Sequence, residues 1–389
     1  MDRIYLDNNA TTALDPDVLE AMRPHFLNAG NAESRHAAGR AARRAWDEAG
    51  ETVAEILGAH PSEVIFTSGG TEANNLAMFG LAGAEHAPGH VVSSPMEHPA
   101  IAEPVARLEA SGFAVDRPAI DAESLADADA MAATFRDDTR FATLMLANNE
   151  TGAIQPVARL AALAGEWDPP IAVHTDAVQA VGRIAVDFHA LGVATLAASA
   201  HKFHGPVGAG LLLVRRGVRL GSRLFGGGQQ QGRRPGTVAV PLAVGLAAAL
   251  RNWQREADAR NARWVSLRDG LEAALIAALG TERVVRNGPL DDSRRLPQTV
   301  NLGFPGLDGD ALLMQLDLAG VCASLGSACA SGSTRPSPTL VAMRVPDDRL
   351  RSSVRFSLGA TTTGAEIDAA IPRIVQAVRQ AEGLGSDDR

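Results

Sequence analysis

Phe66-Thr67-Ser68-Gly69-Gly70-Thr71-Glu72-Ala73-Asn74 closes a short apolar run, 64–67, and opens a helical pattern over 72–84. Val64, Ile65, Phe66 and Thr67 are all β-branched or aromatic, as suits a strand covered on both faces, and the glycines let the chain turn at once into a helix. Similar runs at 90–94, 141–147, 171–174, 194–198 and 211–214 alternate with helical stretches at 100–110 and 157–165. Strand, crossover helix and strand in that order predict an α/β fold, with a mainly parallel sheet covered by helices. A long pattern rich in alanine and arginine, about 240–279, then leads out of this unit. Strands near 299–303, 321–324 and 353–357, with helices near 310–318 and 365–381, read as a smaller α+β domain. The expected division is 16–254 for the large domain and 1–15 with 255–389 for the small one.

Composition narrows the classes further. The hydrophobic fraction of 46% fills a sizeable core, and a net charge of −9 argues against binding the backbone of nucleic acid. Met1-Asp2-Arg3-Ile4-Tyr5-Leu6-Asp7 lacks the basic and apolar segments of a signal peptide, and no run of about 18 apolar residues predicts a membrane span. The two cysteines, Cys322 and Cys329, make no disulfide framework, which suits a reducing cytoplasm and a free-thiol role. No metal site is assigned.

The chemistry gathers at strand ends. Gly69 and Gly70 let backbone N–H groups converge on an anion at a helix N-terminus, and Thr71 adds a hydroxyl. The segment lacks the Gly-Lys-Ser/Thr of a Walker loop and the Gly-x-Gly-x-x-Gly spacing, which disfavours a nucleoside triphosphate or dinucleotide; a simple helix cap is the alternative. Phe225-Gly226-Gly227-Gly228-Gln229-Gln230-Gln231-Gly232 is a second glycine-rich segment, either a cradle or a surface loop. Asp176 follows the run at 171–174, where open α/β sheets bind ligands, and could hold a pyridine nitrogen protonated or only cap a helix. His98, in Glu97-His98-Pro99, could stack on a ring and move protons, or cap a helix in its turn. Lys202 is the single lysine of 389 residues, against 35 arginines. Arginine cannot form a Schiff base, so a lone amine after a strand points to carbonyl chemistry, most economically with pyridoxal phosphate.

Five segments coincide in order: Tyr5-Leu6-Asp7-Asn8-Asn9-Ala10-Thr11-Thr12, Thr67-Ser68-Gly69-Gly70-Thr71-Glu72-Ala73-Asn74-Asn75, Asn148-Asn149-Glu150-Thr151-Gly152, His174-Thr175-Asp176-Ala177-Val178-Gln179 and Ser199-Ala200-His201-Lys202-Phe203-His204-Gly205-Pro206. Together they resemble a cysteine desulfurase of the class V aminotransferase superfamily, over nearly the whole chain. The resemblance implies the PLP-dependent transferase fold of type I, with a mainly parallel seven-stranded sheet in the large domain. It implies that Lys202 bonds the pyridoxal phosphate aldehyde, that His98 stacks on the pyridine ring and that Asp176 pairs with its nitrogen. Asn149 and Gln179 would lie near the phenolic oxygen. Gly70, Thr71, Ser199 and His201 would hold the phosphate, joined by Thr237 from the partner subunit, which implies a homodimer with shared active sites.

Gly326-Ser327-Ala328-Cys329-Ala330-Ser331-Gly332 surrounds one cysteine with small residues and resembles the sulfur-accepting loop of desulfurases that serve iron–sulfur assembly. Cys322 falls in an expected strand and reads as core. Arg355 matches the family's arginine for the substrate carboxylate, a role that suits its planar fork. The implied reaction removes sulfur from L-cysteine. Arg355 and Asn149 hold the carboxylate, Lys202 takes the Cα proton, and His98 shuttles protons. Cys329 then attacks sulfur, leaving alanine and a persulfide that passes to an acceptor such as an iron–sulfur scaffold protein. Alternatives are another class V enzyme, such as a selenocysteine or cystine lyase, and a non-catalytic sulfur-assembly scaffold. The chain departs from the family pattern at Gly30-Asn31-Ala32-Glu33, at Gln229-Gln230-Gln231, where glutamate is common, at Gly205-Pro206-Val207-Gly208 and at Ser333-Thr334-Arg335-Pro336.

Overall fold

The structure, a computed structural model, describes residues 3–83, 88–325 and 336–384. After β1 (Ile4–Tyr5) the chain builds a central sheet from β2 (Val64–Thr67), β3 (His90–Ser93), β4 (Ala114–Asp116), β5 (Thr139–Thr143), β6 (Ala172–Asp176), β7 (Thr195–Ser199) and β8 (Gly210–Val214). Its spatial order is β2-β8-β7-β6-β5-β3-β4, seven strands as expected. Pairings from β7 to β4 are parallel, whereas β8 runs antiparallel to both β2 and β7. The turn 200–209 between β7 and β8 is too short for a parallel crossover, which takes about a dozen residues or more, so the chain must reverse.

Alternation along the strands feeds two cores. Val92, Ala142, Leu196, Leu211 and Leu213 pack on one face of the sheet. Their neighbours Val91, Phe141, Ala197, Leu212 and Val214 pack on the other. Helices Gly70–Ala82 and Pro99–Ala110 cover the second face through Leu76, Ala77, Ile101 and Val105. Helices Ala37–Ile56 and Val157–Gly165 cover the first through Val53 and Leu160. Sandwiched strands carry apolar residues on both sides, which is why they read as continuous apolar runs.

The 40-residue helix Val240–Leu279 joins this body to a second core. Its first half gives Ala243, Leu246 and Leu250 to the core on the first face of the sheet, and its second half gives Trp264, Leu271 and Leu275 to the other body. There β9 (Val285–Asn287), β10 (Thr299–Gly303) and β12 (Ser353–Ser357) form an antiparallel sheet in the order β12-β10-β9. β11 (Val321–Cys322) pairs in parallel with β1. From β1 the N-terminal segment runs toward the central sheet. Asn8 N–H donates to Ser357 O, and Thr12 N–H donates to His201 O in the turn that carries Lys202. Among the described residues no helix is long and apolar enough to cross a membrane.

Candidate active site

Gly70, Thr71, His98, Asn149, Asp176, Gln179, Ser199, His201 and Lys202 line one cavity of about 250 Å³. They arrive from the ends of β2, β3, β5, β6 and β7, on the edge where a parallel sheet leaves ligand space. Thr237 is exposed on its own chain and does not line this cavity. Cys329 lies outside the described residues.

The cavity lining includes a candidate anion cradle. Helix Gly70–Ala82 begins at Gly69 with no side chain capping it, so its first N–H groups and its positive dipole end face the cavity. Close packing explains the glycines. A Cβ on Gly70 would stand 2.7 Å from Val178 Cγ2, and one on Gly210 of β8 would stand 2.5 Å from Gly69 Cα. Ser199 and His201 complete the cradle, with His201 Nδ1 3.1 Å from Thr11 Oγ1.

The Asp176 carboxylate, 6% exposed, also lines the cavity. Its Oδ1 accepts Val178 N–H at 2.9 Å and its Oδ2 accepts Asn74 Nδ2 at 2.7 Å. Since the Asn74 amide donates there, its Oδ1 must accept, and His174 Nε2 lies 3.1 Å away. His174 Nδ1 in turn lies 2.8 Å from Thr195 Oγ1. The network therefore assigns the proton of His174 to Nε2. Burial pushes His174 down to about 3, which keeps it neutral. Behind Asp176 is a second acid, Glu97, whose Oε1 accepts Met145 N–H at 2.9 Å. Burial, then the charge of Asp176, pushes Glu97 up to about 8, leaving it largely protonated at neutral pH.

Lys202 lines the same cavity, and its Nζ donates to Asn9 O at 2.6 Å and Ala10 O at 2.7 Å. Gln179 Nε2 donates to the same Asn9 carbonyl at 3.0 Å, and its buried Oε1 has no hydrogen-bond partner among the described residues. His98 both caps helix Pro99–Ala110, with Nδ1 accepting Ala100 N–H at 3.1 Å, and lines the cavity. The cap needs a lone pair on Nδ1, so a neutral His98 carries its proton on Nε2. Arg355 of β12 is 3% exposed, donates to Asn149 O at 2.9 Å and pairs with Asp7 at 2.7 Å. It stands beside the cavity, tied to the strand-end loop that presents Asn149.

Sequence reasoning assigned no role to Asn74, Glu97 or the Asn9 and Ala10 carbonyls. Asn74 had a usable signal, because a position four residues after Gly70 on a helix faces the same way as the cradle. The backbone carbonyls carry no sequence signal at all.

A helix N-terminus, an amine and a buried carboxylate line one cavity, a combination suited to a phosphorylated aldehyde with a basic ring nitrogen. Comparisons with known proteins agree. The aminotransferase class-V family matches residues 4–370. A cysteine desulfurase of Nostoc sp. is 41% identical over 392 aligned positions, covering 100% of this chain and 96% of that protein. Among solved structures, a NifS-like protein superposes with a TM-score of 0.89 at 33% identity, covering 97% of this chain and all of its own. SspA in complex with cysteine superposes at 0.79 and 32% identity, covering 92% of this chain and 99% of its own. The chain belongs to the class V aminotransferase family, whose members depend on pyridoxal phosphate. The residues present fit that group. The cradle matches its phosphate, Asp176 its pyridine nitrogen and Lys202 its aldehyde, while the unpartnered Gln179 Oε1 marks polar space still to be filled.

One departure from the family gains a physical reason. Gln230 faces the edge strand β2, where its Oε1 accepts Phe66 N–H at 2.7 Å and its Nε2 donates to Phe66 O at 2.9 Å. A glutamate carboxylate could accept there but not donate. Nearby, Arg234 pairs with Glu72 at 2.8 Å, so the loop that carries Thr237 is pinned to the cradle helix of its own chain.

Two predictions arise here. Replacing Asn74 with leucine strips a partner from both Asp176 Oδ2 and His174 Nε2. Stability should fall by about 1–3 kcal/mol, read as a lower urea midpoint at unchanged slope. The second concerns pH. Folded His174 is held near 3, below the ordinary 6.5, so the unfolded chain binds its proton first as pH falls. That stability is complete above 6.5 and is lost progressively as pH drops from about 6.5 toward 3. Over that window the urea midpoint of the wild type should fall more steeply than that of a His174→Gln chain, and equal slopes would refute the assignment.

Proposed function

We propose that this chain is a pyridoxal-phosphate-dependent cysteine desulfurase that converts L-cysteine to L-alanine and loads the sulfur on Cys329 as a persulfide. The observation that carries the reading is that the helix N-terminus at Gly70, the Lys202 amine and the Asp176 carboxylate line one cavity. Support for cysteine as substrate comes from the relatives, one named a cysteine desulfurase and one solved with cysteine.

When bound, pyridoxal phosphate supplies an electron sink that makes the substrate Cα–H acidic. The chain's residues do the rest. Gly70, Thr71, Ser199 and His201 would hold the phosphate, and Asp176, oriented by Asn74 and Val178 N–H, would hold a proton at the ring nitrogen. His98 lines the cavity where it would cover the ring, and its Nε2–H can donate a hydrogen bond there. Gln179 and Asn149 orient the polar edge. Lys202 Nζ takes the proton from Cα, with the Asn9 and Ala10 carbonyls ready to receive its N–H bonds. Arg355 receives the substrate carboxylate, sharing its guanidinium with Asp7. Cys329 thiolate bonds to the sulfur of cysteine as the C–S bond breaks, and the three-carbon product gains the protons that make it alanine. One cysteine and one thiol thus become one alanine and one persulfide.

The same proposal includes a homodimer in which Thr237 completes the partner's cradle, a cytoplasmic location, and an acceptor protein, such as an iron–sulfur scaffold, that takes the persulfide. The two structural units are 16–254 and 1–15 with 255–389. Absorption spectra recorded while L-cysteine, cystine or selenocysteine is added separate the substrates. Preference for cysteine, with alanine as product, is expected. Faster alanine release from cystine or selenocysteine, with little from cysteine, would replace this reading by a lyase.

A further inference from the structure

Arg183 has no part in the chemistry above, yet it touches the backbone of Lys202. Its side chain is fully buried. One terminal nitrogen donates to Lys202 O at 2.5 Å and to Asn8 O at 3.2 Å, and the other donates to Leu358 O at 3.4 Å. These carbonyls belong to the lysine turn, the N-terminal segment and the chain just after β12. The guanidinium also lies 5.3 Å from the centre of the Trp264 ring, whose Nε1 donates to Gly359 O at 2.8 Å. Arg183 therefore gathers, at a single point, the turn that bears the amine and the two segments that close over it.

Its charge is the unusual part. Arg260, on the same indole, is paired with Glu256 at 2.6 Å. Among the described residues no carboxylate pairs with Arg183, whose hydrogen bonds go to backbone carbonyls and whose guanidinium lies over an aromatic face. A buried cation without a carboxylate is costly, and an apolar residue of similar volume would serve packing alone at lower cost. We propose that Arg183 is the positioning residue of Lys202: it fixes the lysine turn through the Lys202 carbonyl and keeps an uncompensated positive charge behind the amine. A nearby like charge disfavours the protonated amine, so Lys202 is poised to act as a neutral base and nucleophile.

Other groups face these two residues. Toward the cavity Lys202 meets Asp176, His98 and His201, and behind the turn Arg183 meets Arg260 and His204. Burial, then the neighbouring Arg260, pushes Arg183 itself down, and burial, then Arg183, pushes His204 down to about 4. The field of Arg183 thus reaches the lysine turn. Asp176 acts in the opposite direction, but its carboxylate is engaged by Asn74 and Val178 N–H.

The inference rests on Lys202 being the reactive amine and not on which reaction it serves. Because the chain has one lysine, acylation of amines in the full-length protein stripped of cofactor, read by peptide mass spectrometry against pH, reports Lys202 directly. A midpoint below the ordinary value of about 10.4 is expected for the wild type. Arg183→Met should raise it by about one unit. Arg183→Lys, whose new amine falls on a separate peptide, should return it close to wild type. In the holoenzyme the pH midpoint of the cofactor's visible band should move in the same order. A wild-type midpoint at or above about 10.4 would overturn the proposal even if no variant folds. An unchanged midpoint in a folded Arg183→Met protein would do the same, and so would failure of Arg183→Lys to restore it. A desulfurase assay that fails while these midpoints shift would reject the reaction and leave the inference standing.

Discussion

Lys202→Arg is expected to abolish turnover, lowering alanine formation from cysteine by about a thousandfold or more, while the protein still folds. Arginine can keep the charge and donate to the Asn9 and Ala10 carbonyls that now receive Nζ at 2.6 and 2.7 Å. It cannot bond an aldehyde or take a proton at neutral pH, because its guanidinium stays protonated. The variant should also lose pyridoxal phosphate on dialysis, with an unfolding transition near that of the stripped wild type. Retained turnover would mean that the amine is not the reactive group. With no second lysine in the chain, no other side-chain amine can substitute.

Cys329→Ala is the second large expectation. It should remove persulfide formation and cut alanine release by a factor of about a hundred to ten thousand, with the cofactor spectrum intact. Cys322 cannot take its place. It lies in β11, hydrogen-bonded into the small sheet beside Tyr5, and burial pushes its thiol up. The thiolate is the nucleophile, so a raised thiol in a paired strand is a poor acceptor of sulfur. Cys322→Ala should accordingly leave both products close to wild type. Loss of persulfide in Cys322→Ala, with Cys329→Ala unaffected, would reverse the assignment.

Much of this site was legible because its residues sit where pattern and chemistry agree. Asp176, Ser199 and Lys202 each close or follow an apolar run, and the ends of parallel strands are where ligands bind. The helices Val157–Gly165 and Val240–Leu279 and the strand Thr299–Gly303 fall where their periodicity places them. The rest was hidden for physical reasons. β4 is three residues long and partly exposed, so it carries no apolar run to notice. The run at 141–147 holds a strand that begins at Thr139, because ladder bonds start before the apolar stretch does. β8 reads like its neighbours, since burial on both faces gives the same apolar run in either direction, and only the length of the preceding turn decides its sense. The carbonyls that receive Lys202 and Arg183 belong to the backbone, and no side chain announces them. Asn74 and Glu97 were in view within their motifs. Their roles follow only from what faces them across 102 residues in one case and 48 in the other.

The central claim is that Lys202 and Cys329 together take sulfur from L-cysteine. It is tested most directly in a single turnover of the full-length holoenzyme with L-cysteine and no acceptor or reductant, counting alanine and mapping sulfur by peptide mass spectrometry. One alanine per active site is expected, matched by a gain of one sulfur atom on the peptide bearing Cys329. Sulfur carried only by the Cys322 peptide, or cysteine consumed without alanine, would contradict the account.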